Sequence, residues 1–228
     1  FGILNYFNIF LKNINININI MNISKVAMNN LMNNIKNSMT PQIFCIRHGE
    51  STHNVDYLKY GRSTYFDETK VDTKLTNRGI NQAKNLGNTW SEIKKKHNKI
   101  DLIITSPLSR CLQTTTNIFG KTPIAPVISF EGCREYPLGA EYCNQRTNLR
   151  TLIKKYPHVD FSNIYSNEDI LWSETKETEV ELEERVNEFK QNLKSIIKEK
   201  NYKNVVIVSH STFLRKFIFN DYDEIFEN

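Results

Sequence analysis

Two short apolar runs, Ile43-Phe44-Cys45-Ile46 and Val205-Val206-Ile207-Val208, limit the folds open to this chain more than any other feature. Neither is interrupted by a polar residue, which suits strands buried on both faces. Leu102-Ile103-Ile104 is a third such run, and Pro123 to Ile128 suggests one more. Helical periods lie between them. Thr76 caps a helix carrying Ile80, Ala83, Leu86, Trp90 and Ile93, and Ser106-Pro107 starts another as N-cap and first-turn proline. A short helix is expected near Leu149 to Lys155. A charged amphipathic helix is expected from Glu177 to Lys200, with Leu182, Val186, Phe189, Leu193 and Ile196 or Ile197 facing inward, and a last one near Ser211 to Phe219. Strands alternating with helices predict an α/β fold, a three-layer α/β/α sandwich with a mainly parallel central sheet.

Composition narrows the setting. Residues 1–38 are a low-complexity segment in which Asn and Ile alternate from Asn13 to Ile20, and the chain opens on Phe, so the sequence is expected to be either a fragment or one that runs upstream of a true start at Met21, Met28, Met32 or Met39. Residues 39–228 form the folded domain, with an irregular insertion or cap at about 130–175. The net charge of +5 is scattered and no basic stripe is interleaved with aromatics, so nucleic acid is not expected as a partner, and neither is a membrane. Cys45, Cys111, Cys133 and Cys143 lack metal-finger spacing and read as free thiols of a cytoplasmic protein.

The apolar runs deliver chemistry at their ends. Arg47 and His48 follow the first, and His210 follows the last. If both strands are central and parallel, both imidazoles emerge at the sheet edge where ligands of open α/β sheets bind. Arg110 lies in the first turn of the helix begun near Ser106, where free N–H groups and a guanidinium favour an anion. A neutral imidazole suited to attack, beside fixed cations, points to a phosphoryl group.

Four segments, Arg47-His48-Gly49-Glu50-Ser51-Thr52-His53-Asn54, Leu75-Thr76-Asn77-Arg78-Gly79, Ser106-Pro107-Leu108-Ser109-Arg110 and Ser209-His210-Ser211, resemble the histidine phosphatase superfamily, also called phosphoglycerate mutase-like. The resemblance implies His48 as a nucleophile that becomes phosphohistidine, clamped by Arg47, Arg110 and His210. Asn54 and Ser211 fall at supporting phosphate positions, and no metal or cofactor is implied. For the general acid there are two candidates: Glu135, in Glu135-Tyr136-Pro137-Leu138-Gly139, fits the family pattern better, with Glu131 in reserve. Arg146, in Cys143-Asn144-Gln145-Arg146, is similar to a Cys-Asp-x-Arg element of uncharacterised mutase-like proteins and is a candidate substrate contact. Trp172 is a candidate for closing over the site. The expected activity is that of a phosphomonoesterase on a small-molecule phosphomonoester, with a phosphoprotein substrate left open. The alternatives are a phosphoglycerate mutase-type transfer and a noncatalytic phosphate-binding scaffold.

Overall fold

The computed structural model describes residues 41–96 and 99–219, without the side chains of residues 91–96; the low-complexity segment and its candidate starts lie outside the described residues. Four strands, β1 (Gln42–Arg47), β2 (Leu102–Thr105), β3 (Val127–Ser129) and β4 (Asn204–Ser209), form one sheet in the order β1-β4-β2-β3, with every pairing parallel. Alternation along each strand sends successive side chains to opposite faces. Phe44, Ile46, Ile103, Val206 and Val208 join one core, and Leu102, Ile104, Val205 and Ile207 the other. Both cores are covered, which is why these runs carry no polar residue.

Helix α1 (Thr52–Tyr60) follows β1, and the first core is closed by α2 (Asn77–Lys96), α3 (Ser109–Phe119) and α4 (Leu149–Lys155), through Ala83, Trp90, Cys111, Leu112 and Leu152. The second is closed by α5 (Glu179–Lys200) and α6 (Ser211–Phe219), through Leu182, Val186, Phe189, Leu193, Phe213 and Phe217. At ~1.5–3 kcal/mol per buried aliphatic or aromatic side chain, the buried face of α5 alone stabilises the fold by several kcal/mol. Thr178 and Glu181 form a reciprocal capping box at the start of α5, and Asn201, at φ 52°, ends it. No described helix is long and apolar enough to cross a membrane.

Two expectations are corrected in detail. The strand expected from Pro123 is only Val127–Ser129, because Pro123 and Pro126 supply no N–H to a ladder. Ser106 is not the N-cap of α3; that position is Leu108, and the helix begins two residues after Pro107. The first N–H of α3 is instead satisfied from outside, by the buried Asp72, whose Oδ1 accepts from Ser109 N (2.7 Å) while Oδ2 accepts from Ser109 Oγ (2.8 Å). Asp72 holds this position with a left-handed φ of 44°. The four cysteines are free, as expected.

Candidate active site

Strand register assembles the site. Arg47 pairs with Ser209, so the next residues, His48 and His210, leave adjacent parallel strands side by side. Their ring centroids are 5.2 Å apart, and both rings are buried. The turn after β1 is held by a close backbone approach: a Cβ on Gly49 would come within 2.6 Å of the Gly79 carbonyl oxygen, and one on Gly79 would overlap the Glu50 carbonyl. Gly79 N donates to Thr76 Oγ1 (3.0 Å), and Thr76 Oγ1 donates to Glu50 Oε1 (2.7 Å). The Leu75 to Gly79 motif therefore seats the histidine turn and leaves chemistry to others.

His48 Nδ1 lies 2.7 Å from its neighbour's carbonyl, Gly49 O. A carbonyl only accepts, so Nδ1 carries the proton and Nε2 keeps the lone pair. Burial first, then the charge of Arg110 and, more weakly, of Arg47, hold the imidazole well below its ordinary range against the Gly49 bond. His48 is a neutral base with a fixed tautomer, which is the state a nitrogen nucleophile needs.

His210 is held by its neighbours. Arg110 Nε donates to its Nδ1 (3.3 Å), so its other nitrogen, Nε2, carries the proton and lies 2.8 Å from Ser106 Oγ. Burial, then Arg110, keep this ring neutral as well. Arg110 is wholly buried; its remaining donors include NH1 to Cys143 O and NH2 to Asn144 Oδ1, both at 2.7 Å. Arg47 is exposed at the same edge.

The other candidate residues divide. Glu135 reaches the N-terminus of α6, where Oε1 accepts from Thr212 N (3.1 Å) and Phe213 N (3.2 Å), directly after His210. Ser211 opens that helix, half-buried. Asn54 Oδ1 accepts from Ser51 N (3.1 Å) and Ser51 Oγ (2.6 Å), and its Nδ2 lies 3.2 Å from His53 Nε2. Glu131, the reserve acid, is bound by Arg134 NH1 (3.0 Å) and Arg146 Nε (2.6 Å). Arg146 is buried; its guanidinium also donates to the carbonyls of Thr147, Asn167, Ser166 and Glu168. Its donors thus go to the protein's own acceptors, away from the role of substrate contact expected for it. Trp172 donates from Nε1 to Glu141 O (3.1 Å) and packs on Tyr142, with centroids 4.9 Å apart.

Some participants were not singled out in the sequence. His53 lies inside the first motif, buried, with its ring centroid 6.1 Å from that of His48 and 5.6 Å from that of Tyr65. Ser106 gave a signal, but for a helix cap and not for a histidine partner. Asp169 holds the loop together: its carboxylate binds Arg134 through both oxygens (2.8 and 2.6 Å) and accepts from Arg146 N (2.7 Å). Burial alone would raise the Asp169 carboxyl, but Arg134 and Arg146 hold it below the usual range. Glu141 is buried and pushed upward by that burial, opposed by Arg62 and reinforced by Glu135.

Residues 43–220 match the family description "Histidine phosphatase superfamily (branch 1)". Phosphoglycerate mutase-like protein 1 of Arabidopsis thaliana is 34% identical over 200 residues, covering 75% of this chain and 68% of the relative. A broad-specificity phosphatase of Saccharomyces cerevisiae is 27% identical over 180 residues, covering 78% of this chain and 68% of its own. Among solved structures, the alpha-ribazole phosphatase of Shigella flexneri superposes with a TM-score of 0.52 at 25% identity, covering 78% of each chain.

Proposed function

Since the chain belongs to branch 1 of the histidine phosphatase superfamily, we propose that it hydrolyses phosphomonoesters through a phosphohistidine on His48. The observation that carries this reading is the neutral His48, with its lone pair on Nε2, buried beside His210 and Arg110. In the first half-reaction Nε2 attacks phosphorus, the bond from phosphorus to the leaving oxygen breaks, and Glu135 gives that oxygen a proton. In the second, water attacks the phosphoryl group, the P–N bond breaks, and Glu135 takes the proton from water, releasing inorganic phosphate and restoring His48. Arg47, Arg110 and His210 stabilise the charge spread over the phosphoryl oxygens, an effect worth ~10³–10⁵ in rate for one well-placed arginine.

Phosphatase and mutase share the first half-reaction, and the relatives include proteins named for each. Hydrolysis is favoured because the buried cap arginines, Arg134 and Arg146, are spent on Glu131 and Asp169, where a mutase acting on phosphoglycerate must hold a second acidic group. The substrate is read as a small phosphomonoester, as the name of the alpha-ribazole phosphatase also suggests.

The test is to quench turnover of a radiolabelled phosphomonoester and measure protein-bound label. The expected adduct is labile in acid and stable in base, and it is absent in His48→Ala, whose kcat/KM falls by roughly 10⁴ or more. Undiminished turnover by His48→Ala refutes the reading.

A further inference from the structure

The site and its adjoining loop contain two wholly buried arginines held in opposite ways. Arg134 is matched by carboxylates, with Asp169 at 2.6 Å and Glu131 at 3.0 Å. Arg110 is held by neutral acceptors: the Cys143 carbonyl, the Asn144 amide oxygen and His210 Nδ1. A guanidinium whose hydrogen bonds go to neutral partners is oriented without being neutralised. Its charge is accordingly felt by His48 and His210, whose imidazoles it helps keep unprotonated.

Of the two side chains among these acceptors, His210 is fixed by Ser106 and belongs to the site itself, whereas the amide at 144 is fixed by bonds to the adjoining loop. Asn144 is 2% exposed. Its Nδ2 donates to Pro137 O (3.0 Å) and to Glu141 Oε2 (3.2 Å), which uses both amide hydrogens and turns Oδ1 toward Arg110. An aspartate, the residue that the similar Cys-Asp-x-Arg element carries at this position, could in this chain donate to neither acceptor when ionised, and would put a second negative charge beside Glu141 and a counter-ion on Arg110. Pro137 lies two residues after Glu135, so the same amide ties the arginine to the segment that bears the proposed acid.

We propose that Asn144 is a positioning residue, which aims the Arg110 guanidinium at the phosphoryl group, keeps its charge available to that group, and couples it to the Glu135 loop. This rests on the phosphoryl-transfer reading of the site. Asn144 touches no reacting atom in this role; it acts through Arg110.

The experiment compares wild type, Asn144→Asp and Asn144→Ala, each checked for folding by its melting curve, in orthovanadate inhibition and in steady-state hydrolysis of an aryl phosphate. Asn144→Asp keeps an acceptor for Arg110 and adds charge, so its vanadate Ki is expected to rise about tenfold or more. Asn144→Ala removes the aim and adds no charge; its kcat is expected to fall by about 10- to 100-fold, and its vanadate Ki, which reports the same transition-state contacts, to rise with it. A residue that only supports the fold would lower the melting temperature of both variants and leave Ki and kcat of the folded enzyme unchanged. That result overturns the inference. If Asn144→Asp does not fold, Asn144→Ala decides, and a wild-type kcat in it is refuting. Wild type that neither binds vanadate nor hydrolyses the ester overturns the phosphatase reading and this inference together, whereas an inhibited wild type matched by both variants overturns only the role of Asn144.

Discussion

Three buried histidines make stability depend on pH in a calculable way. His48, His53 and His210 are each held well below the ordinary imidazole value, in every case by burial first and the charge of Arg110 next. In the unfolded chain each titrates near 6.5. Below that pH the unfolded chain binds more protons than the folded one, so stability rises with pH through this window and is lost as pH falls. Going from pH 7.5 to 5.5, each unfolded histidine gains about 1 kcal/mol or a little more of protonation free energy that a folded counterpart remaining neutral does not; together they give at most about 4 kcal/mol. Against a typical total of ~5–15 kcal/mol this is a large fraction. His158 is also shifted downward, but it is only partly buried and adds less. The assay is urea unfolding followed by tryptophan fluorescence at both pH values, in wild type and in His53→Gln. Wild type is expected to lose up to about 4 kcal/mol, with the upward-shifted Glu141 offsetting part of it, and the variant about 1 kcal/mol less than wild type. A loss under about 1 kcal/mol in wild type would mean that the three imidazoles accept protons in the folded state, and would refute their placement as buried neutral groups.

Two further outcomes follow from the geometry of the turn and the loop. Gly79→Ala puts a methyl group into the Glu50 carbonyl oxygen, so the His48 turn must shift; thermal unfolding should show a loss of about 1–3 kcal/mol, with kcat reduced, and unchanged values would show the approach is not tight. Glu135→Gln should slow alkyl phosphates by ~10²–10⁴ while aryl phosphates, whose leaving groups need little protonation, lose much less; equal losses on both would remove Glu135 as the acid.

Much of the fold was legible because burial on both faces leaves a direct mark on composition. A strand sandwiched between two helix layers has no wet position, and β2 and β4 accordingly contain no exposed residue. The inner face of α5 was legible for the related reason that a helix with one dry stripe must repeat its apolar residues at helical spacing. The start of α3 was misread because its first N–H is satisfied from 37 residues away, by Asp72, and a local pattern cannot register a distant cap.

The same distinction between local and distant partners governs the site. His48 and His210 could be paired from sequence because strand ends are local features and the parallel arrangement of β1 and β4 brings them together. What a given arginine does could not be read this way, since it depends on what neutralises it. Arg110, Arg134 and Arg146 look alike in the sequence and are all buried. Arg146 meets Glu131, 15 residues upstream, and Arg134 meets Asp169, 35 residues downstream, so both are spent within the protein. Arg110 meets a carbonyl and an amide from Cys143 and Asn144, more than 30 residues away, and keeps its charge. An arginine at a phosphoryl site therefore has to be judged by its acceptors: carboxylates make it a brace for the loop, and neutral groups leave it able to bind an anion.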